Sequence, residues 1–249
     1  MILEPLVVAG LFLVAVLAGF VDSIAGGGGL LTVPAMLAAG LPPTTALATN
    51  KAQSTFGALT AATTYTRGGA VDPRALVPPI LTVLVGSAVG TFVLTRIDAA
   101  RLEDLLPWLL LAIAGYVAFR PNLGEVETAA RIAPRTYTLT AAPVIGAYDG
   151  FLGPGTGSFF ALSLVGLRGH DLTRATATAK VLNLTSNLTA LVVFAIAGAP
   201  AWLVGAVMAV GQAIGARLGA GAVLVRGARI VRPALVIVSV ALSIRLLVA

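Results

Sequence analysis

The chain has no cysteine, a single histidine at position 170, and few charges of either sign, with Asp, Glu, Lys and Arg making up 10% of its 249 residues. Without thiols there are no disulfides, thiolate metal centres or cysteine nucleophiles. One imidazole argues against a histidine-rich metal site or a haem bundle. Ordinary soluble domains carry roughly a quarter charged residues, so these charges are too few to cover a water-facing globule. A soluble enzyme and a nucleic-acid binder are both ruled out. The net charge of +6 comes from scattered residues with no basic run, which suits the basic loops of a membrane protein.

What is abundant is apolar: 58% of the residues are hydrophobic and the mean hydropathy is +0.99. At roughly 20 residues per span, the length accommodates about seven to nine transmembrane helices. The start, Met1 to Pro5, has no positive leader and no cleavage signal follows it, so it reads as a retained first helix.

Apolar stretches cover residues 5–21, 30–39, 44–65, 75–95, 105–119, 137–148, 158–166, 172–197, 202–225 and 233–249, punctuated by Gly, Pro and charged residues. Two of them, 30–39 and 158–166, reach only about half of a ~30 Å hydrocarbon core at about 1.5 Å per residue. Each follows a glycine cluster: Gly26-Gly27-Gly28-Gly29 in one case and Gly153-Pro154-Gly155-Thr156-Gly157 in the other. Such runs do not continue a helix cheaply. The spacing predicts two broken or re-entrant helices.

The polar segment 120–135 divides the chain into halves of similar length, and the halves match. Gly19-x-x-Asp22 lines up with Gly146-x-x-Asp149, and Gly26 and Gly28 with Gly153 and Gly155, all 127 residues apart. After a two-residue insertion, Ala46-x-Ala48-Thr49-Asn50-Lys51 lines up with Ala175-x-Ala177-Thr178-Ala179-Lys180, and Leu59-Thr60-Ala61 with Leu188-Thr189-Ala190. Further on, Val85-Gly86-x-Ala88-x-Gly90 lines up with Val210-Gly211-x-Ala213-x-Gly215. These collinear matches indicate an internal duplication. The expected organisation is a first transmembrane repeat over 1–120, a polar linker over 121–135 and a second repeat over 136–249. The fold class is all-α: a polytopic membrane protein of about eight helices in two four-helix repeats. Paired discontinuous helices of this kind point to the binding site of a secondary transporter.

Both lysines of the chain, Lys51 and Lys180, fall at the same position of the two halves, inside a long apolar helix. A charge near a helix centre costs about 2.5–3.5 kcal/mol on insertion scales and usually marks function. The plainer alternative is that each lysine snorkels to the headgroups. Asp22 and Asp149 form a second pair, each just before a glycine break. They cap free N–H groups or neutralise the lysines on one reading, and carry protons on another. The sequence leaves both open.

A half-helix starting after the glycines aims free N–H groups and about half a positive charge at mid-membrane, which suits an anion. Gly27, Gly28, Gly29, Gly155, Thr156 and Gly157 are therefore candidate donors to a cargo. Thr49, Asn50, Thr178 and Asn183 join them on the lysine helices, next to Gln53, Ser54, Ser186 and Asn187. Such side chains line a cavity or hold helices together. Two lysines, two such termini and two carboxylates leave the centre about one charge positive, so the cargo is expected to be anionic. The Gly-x-x-x-Gly matches read as close helix packing, Arg217 is a secondary site candidate, and His170-Asp171 marks a helix start. An eight-span topology sorts the remaining arginines almost evenly. Arg67, Arg74, Arg120, Arg131 and Arg135 fall on one side, with Arg96, Arg101, Arg168, Arg174, Arg226, Arg229 and Arg232 on the other.

The stretch Ala18-Gly-Phe-Val-Asp-Ser-Ile-Ala-Gly-Gly-Gly-Gly-Leu-Leu-Thr-Val-Pro34, followed by Ala46-Leu-Ala-Thr-Asn-Lys51, resembles the TauE/SafE family of sulfite exporters and related anion permeases. In the second half, Gly146-Ala-Tyr-Asp-Gly-Phe-Leu-Gly-Pro-Gly-Thr-Gly157, Ala177-Thr-Ala-Lys-Val-Leu-Asn183 and Gly211-Gln-Ala-Ile-Gly-Ala-Arg-Leu-Gly219 are similar to its YfcA-type branch. The resemblance implies a duplicated four-plus-four helix permease of the cytoplasmic membrane, handling sulfite, sulfoacetate or other sulfur-containing or organic anions. The expected function is a secondary anion transporter with its site between the repeats. No enzyme activity, cofactor, metal or nucleic acid is expected. The expected partners are a small anion and the bilayer, and a homo-oligomer is compatible with the sequence. The alternative is a membrane-embedded accessory or assembly subunit whose buried charges meet a partner helix.

Overall fold

The computed structural model describes residues 4–97 and 128–227, and every regular element among them is helical. The apolar stretches 105–119 and 233–249, most of the linker, and Arg101, Arg120, Arg229 and Arg232 lie outside the described residues. In chain order the helices are α1 (Pro5–Ala25), α2 (Gly29–Ala38), α3 (Pro43–Arg67) and, after a 3₁₀ turn at Pro73–Leu76, α4 (Val77–Leu94). The second half supplies α5 (Pro134–Leu139), α6 (Ala141–Phe151), α7 (Thr156–Arg168), α8 (Leu172–Ile196) and α9 (Trp202–Arg226).

Starts and stops follow local chemistry. Proline opens α1, α3 and α5, where its missing N–H is not needed. Asp171 caps α8 by accepting from the N–H groups of Thr173 (2.9 Å) and Arg174 (3.0 Å). The helix start expected at His170-Asp171 is there. Both glycine clusters interrupt helices, α1 from α2 and α6 from α7. The second half-helix has 13 residues, longer than the apolar stretch 158–166.

Among the described residues, four segments are long and apolar enough to cross a membrane: α1, Pro73–Leu94, α8 and α9. They expose Leu13, Leu17, Leu84, Val192, Ile196 and Leu203, side chains suited to lipid. The polar helix α3 is 25 residues long, yet its Thr49, Asn50, Lys51 and Gln53 are buried. Its first half is enclosed while Phe56 and Leu59 further on are exposed, and its chief neighbours are α8 and α9.

The contacts fix the direction of each helix. Gly68, just past α3, lies against Leu224 at the end of α9, and Gly227, just past α9, lies against Thr173 at the start of α8. At the far side, the Ala201 N–H, after α8, donates to Thr49 Oγ1 near the start of α3 (2.9 Å). The two lysine helices α3 and α8 are therefore antiparallel.

Two glycine seams bind the halves to each other. A Cβ on Gly215 of α9 would strike Val16 O and Phe20 N of α1, and one on Gly86 of α4 would strike Pro143 O and Ala147 N of α6. Pro143 and Ala147 are the counterparts, 127 residues on, of Val16 and Phe20. Packing thus equates Gly86 with Gly215, and likewise Gly90 with Gly219, one helical turn beyond the sequence match of Gly86 with Gly211. Gly211, Gly215 and Gly219 recur every turn, and a repeated motif can slip by one repeat when aligned by letters alone.

The arginines are sorted differently from the eight-span expectation. Arg67 ends α3, Arg74 lies in the 3₁₀ turn and Arg226 ends α9. Arg135, Arg168 and Arg174 line one cavity together with Leu76 beside that turn, and the Arg131 N–H donates to Leu167 O (2.9 Å). All seven share one face. Arg96 follows α4 at the other. The cause is the second break: α6 and α7 together return the chain to the face it left, so Arg168 and Arg174 rejoin Arg135. Arg217 is exposed on α9, which removes it from any buried site.

Candidate functional site

Lys51 and Lys180 each lie eight residues beyond the first residue of their helix, about 12 Å in at 1.5 Å per residue. Because α3 and α8 are antiparallel, Lys180 is nearer the arginine-rich face and Lys51 nearer the opposite one. Both are 1% exposed. Neither snorkels.

Each lysine meets the aspartate of the other half. Lys51 Nζ donates to Asp149 Oδ1 at 2.7 Å, and Lys180 Nζ donates to Asp22 Oδ2 at 2.8 Å. A charge buried away from water requires such a mate. The two pairs are held differently. On Asp149, Oδ1 is also in reach of Thr156 Oγ1 (2.9 Å), while Oδ2 accepts from Asn183 Nδ2 (3.2 Å) and from Ser186 Oγ. Asp22 has one further partner, the Gly28 N–H at 3.1 Å. Its side chain is 13% exposed against 1% for Asp149.

The two glycine breaks press against each other between these pairs. Gly26 has φ of 78°, a conformation that L side chains rarely adopt. A Cβ there would collide with Ser158 N, and one on Gly157 would lie 2.9 Å from Gly26 Cα, 3.0 Å from Lys180 Nζ and 3.7 Å from Asp22 Oδ1. Ser158 Oγ ties the junction by donating to Ala25 O (2.7 Å). Gly29 packs on Pro154 and beside Asn50 Nδ2. Gly27 (φ 91°) accepts the Leu30 N–H, and Gly155 (φ 85°) caps α7 and accepts the Phe159 N–H. Lys51 Nζ sits where a Cβ of Gly153 would be.

The remaining predicted residues divide. Asn183 and Thr156 hold Asp149. Asn50 Oδ1 accepts from Thr32 Oγ1 (2.7 Å) and Gln53 Nε2 (3.0 Å), which places Asn50 in a buried polar cluster between α2 and α3. Thr49 accepts from Ala201 N, a tie between helices away from the ion pairs. Thr178 lines both cavities at the arginine-rich face, of about 560 and 480 Å³, and Leu182 lines the larger. Ser186 was legible only as a polar neighbour of Lys180. Its signal was the spacing Asn183, Ser186 on one helix face. Gln53 and Gln212 each bury an Oε1 without a partner, and Gln212 packs on Gly57 of α3.

Comparison with known proteins places the chain among membrane transporters. The family model described as sulfite exporter TauE/SafE matches residues 11–246. A probable membrane transporter protein, ORF9, of Sinorhizobium sp is 48% identical over 239 residues, covering 96% of this chain and 92% of its own. The probable membrane transporter protein YfcA of Escherichia coli K12 is 45% identical over 98% of this chain and 91% of its own. A probable membrane transporter protein of Haemophilus influenzae is 45% identical over 92% and 90%. No solved structure matches the chain.

Proposed function

The chain belongs to the sulfite exporter TauE/SafE family, and from that premise we propose that it is a secondary permease for small anions rather than an enzyme. The observation that carries this reading is the junction of the two glycine breaks, flanked by both lysines deep inside a lipid-facing helical shell. The carboxylates cancel the ammonium groups, so the positive bias of the junction comes from the starts of α2 and α7, about half a unit each. An anion arriving there finds N–H donors and two cations whose present mates are carboxylates, groups of its own chemical kind. Sulfite, sulfoacetate and related sulfur-containing or organic anions fit that description. Transport draws on the anion gradient, the membrane potential or protons held by Asp22 and Asp149.

On this reading residues 1–120 and 136–249 are two inverted repeats joined by the linker 121–135, with the site between them. The antiparallel lysine helices, the exchanged ion pairs and the matched seams all support it. The arginine-rich face lies in the cytoplasm, as basic loops do, and the membrane is the inner cell membrane. An accessory subunit would keep buried charges for a partner helix. Here Lys51, Lys180, Asp22 and Asp149 are all matched within the chain.

Counterflow in proteoliposomes, run with sulfite, sulfoacetate, thiosulfate, sulfate and simple carboxylates, tests the proposal. At least one anion should exchange, and Lys180→Met should remove that exchange. Exchange unaffected by both Lys51→Met and Lys180→Met would reject this site.

A further inference from the structure

We propose that the two ion pairs are unequal gates: Lys180 releases Asp22 to take the cargo anion from the arginine-rich face, while Lys51 and Asp149 stay joined and close the path to the opposite face. This rests on the permease reading above and adds to it which lysine receives the anion, and from where.

Partner inventory carries the argument. Asp149 is gripped by Lys51, Thr156, Asn183 and Ser186. At the matched positions the first half has Gly29 for Thr156, Ser54 for Asn183 and Gly57 for Ser186. Two of the three have no side-chain donor, and the third, Ser54, turns to Asn50 Oδ1 (3.5 Å). Asp22 keeps only Lys180 and the Gly28 N–H. Duplication built the same pair twice, and the second copy alone received the extra donors.

An incoming oxyanion can take both of Asp22's donors, one ammonium and one N–H at the start of α2. The exchange gives the ammonium a new oxyanion mate and leaves the Asp22 carboxylate, the more exposed of the two aspartates at 13%, to take its hydrogen bonds from water. The same exchange at Asp149 would have to break its bonds with Thr156, Ser186 and Asn183 as well. Access agrees with this asymmetry. Among the described residues, two cavities open at the face nearer Lys180 and reach Thr178, two residues before it on α8. Arg135, Arg168 and Arg174 line the larger one, an entrance that concentrates anions.

The absence of native cysteine makes a direct test available. Asp22→Cys and Asp149→Cys are each exposed to a membrane-impermeant thiol reagent from either face, with and without sulfoacetate. Asp22→Cys should react at least tenfold faster than Asp149→Cys, from the arginine-rich face only, and sulfoacetate should slow it. Should loss of Asp149 unfold the chain, Thr178→Cys and Thr49→Cys keep both ion pairs whole and report the same two sides; Thr178→Cys should react and Thr49→Cys should not. Equal rates for the paired cysteine variants, with transport by the wild type intact, would overturn the unequal gates and leave the permease reading standing. No transport of any anion by the wild type would overturn the permease reading and the cargo exchange with it.

Discussion

Lys51 and Asp149 are both 1% exposed, so removing either strands the other where water cannot solvate it. Breaking a buried pair in this way costs about 3–5 kcal/mol, whereas removing both charges together costs far less. Lys51→Met should therefore lower the unfolding temperature in detergent sharply, and Lys51→Met combined with Asp149→Asn should recover most of the loss. A double variant no more stable than the single one would show that the pair is not energetically coupled. Gly26→Ala belongs to the same scale, with a positive φ and a collision at Ser158 N; it should cost about 1–3 kcal/mol of strain and reduce exchange. The sequence made the depth of the lysines and their kinship with the aspartates legible, because charge inside an apolar run is conspicuous. It did not disclose which aspartate each lysine meets. Asp22 is closer along the chain to Lys51, yet it pairs with Lys180, since partner choice depends on how the helices are stacked.

Helix-scale behaviour is governed by the two seams, α1 against α9 and α4 against α6. At Gly215 and Gly90 the facing backbone leaves no room for a side chain, and overpacking of this kind costs typically about 1–3 kcal/mol. Gly215→Leu should lower both the yield of folded protein and its unfolding temperature. Gly10 in α1 and Gly221 in α9 meet nothing within 4 Å among the described residues, so their replacement by Ala should be neutral or stabilise by up to about 1 kcal/mol through helix propensity. Equal damage at Gly10 and Gly215 would contradict the seams. Both breaks were readable from four glycines in a row and from Gly153-Pro154-Gly155, because such runs do not continue a helix cheaply, and Gly26, Gly27, Gly153 and Gly155 take the positive φ that glycine favours. The seam register was not readable, since Gly211, Gly215 and Gly219 offer equivalent matches one turn apart. Nor was the return of α7 to the face from which α6 sets out, because a short apolar segment does not record whether it crosses or turns back.

At the scale of the whole molecule, the gathering of Arg67, Arg74, Arg131, Arg135, Arg168, Arg174 and Arg226 at one face predicts, under the positive-inside rule, that this face is cytoplasmic. An impermeant maleimide added to intact cells should label Ala197→Cys, exposed beyond α8, and should label Ala75→Cys only after permeabilisation. The reverse pattern would place the arginine face outside. Crossed pairing also has a consequence for how the protein is made. Residues 1–97 reach the bilayer before position 149 or 180 has been synthesised, so the early carboxylate and the early ammonium enter lipid as strangers to their eventual mates. Each must wait for a counter-ion that the ribosome supplies only later, and a chain truncated between the halves would carry one stranded charge of each sign.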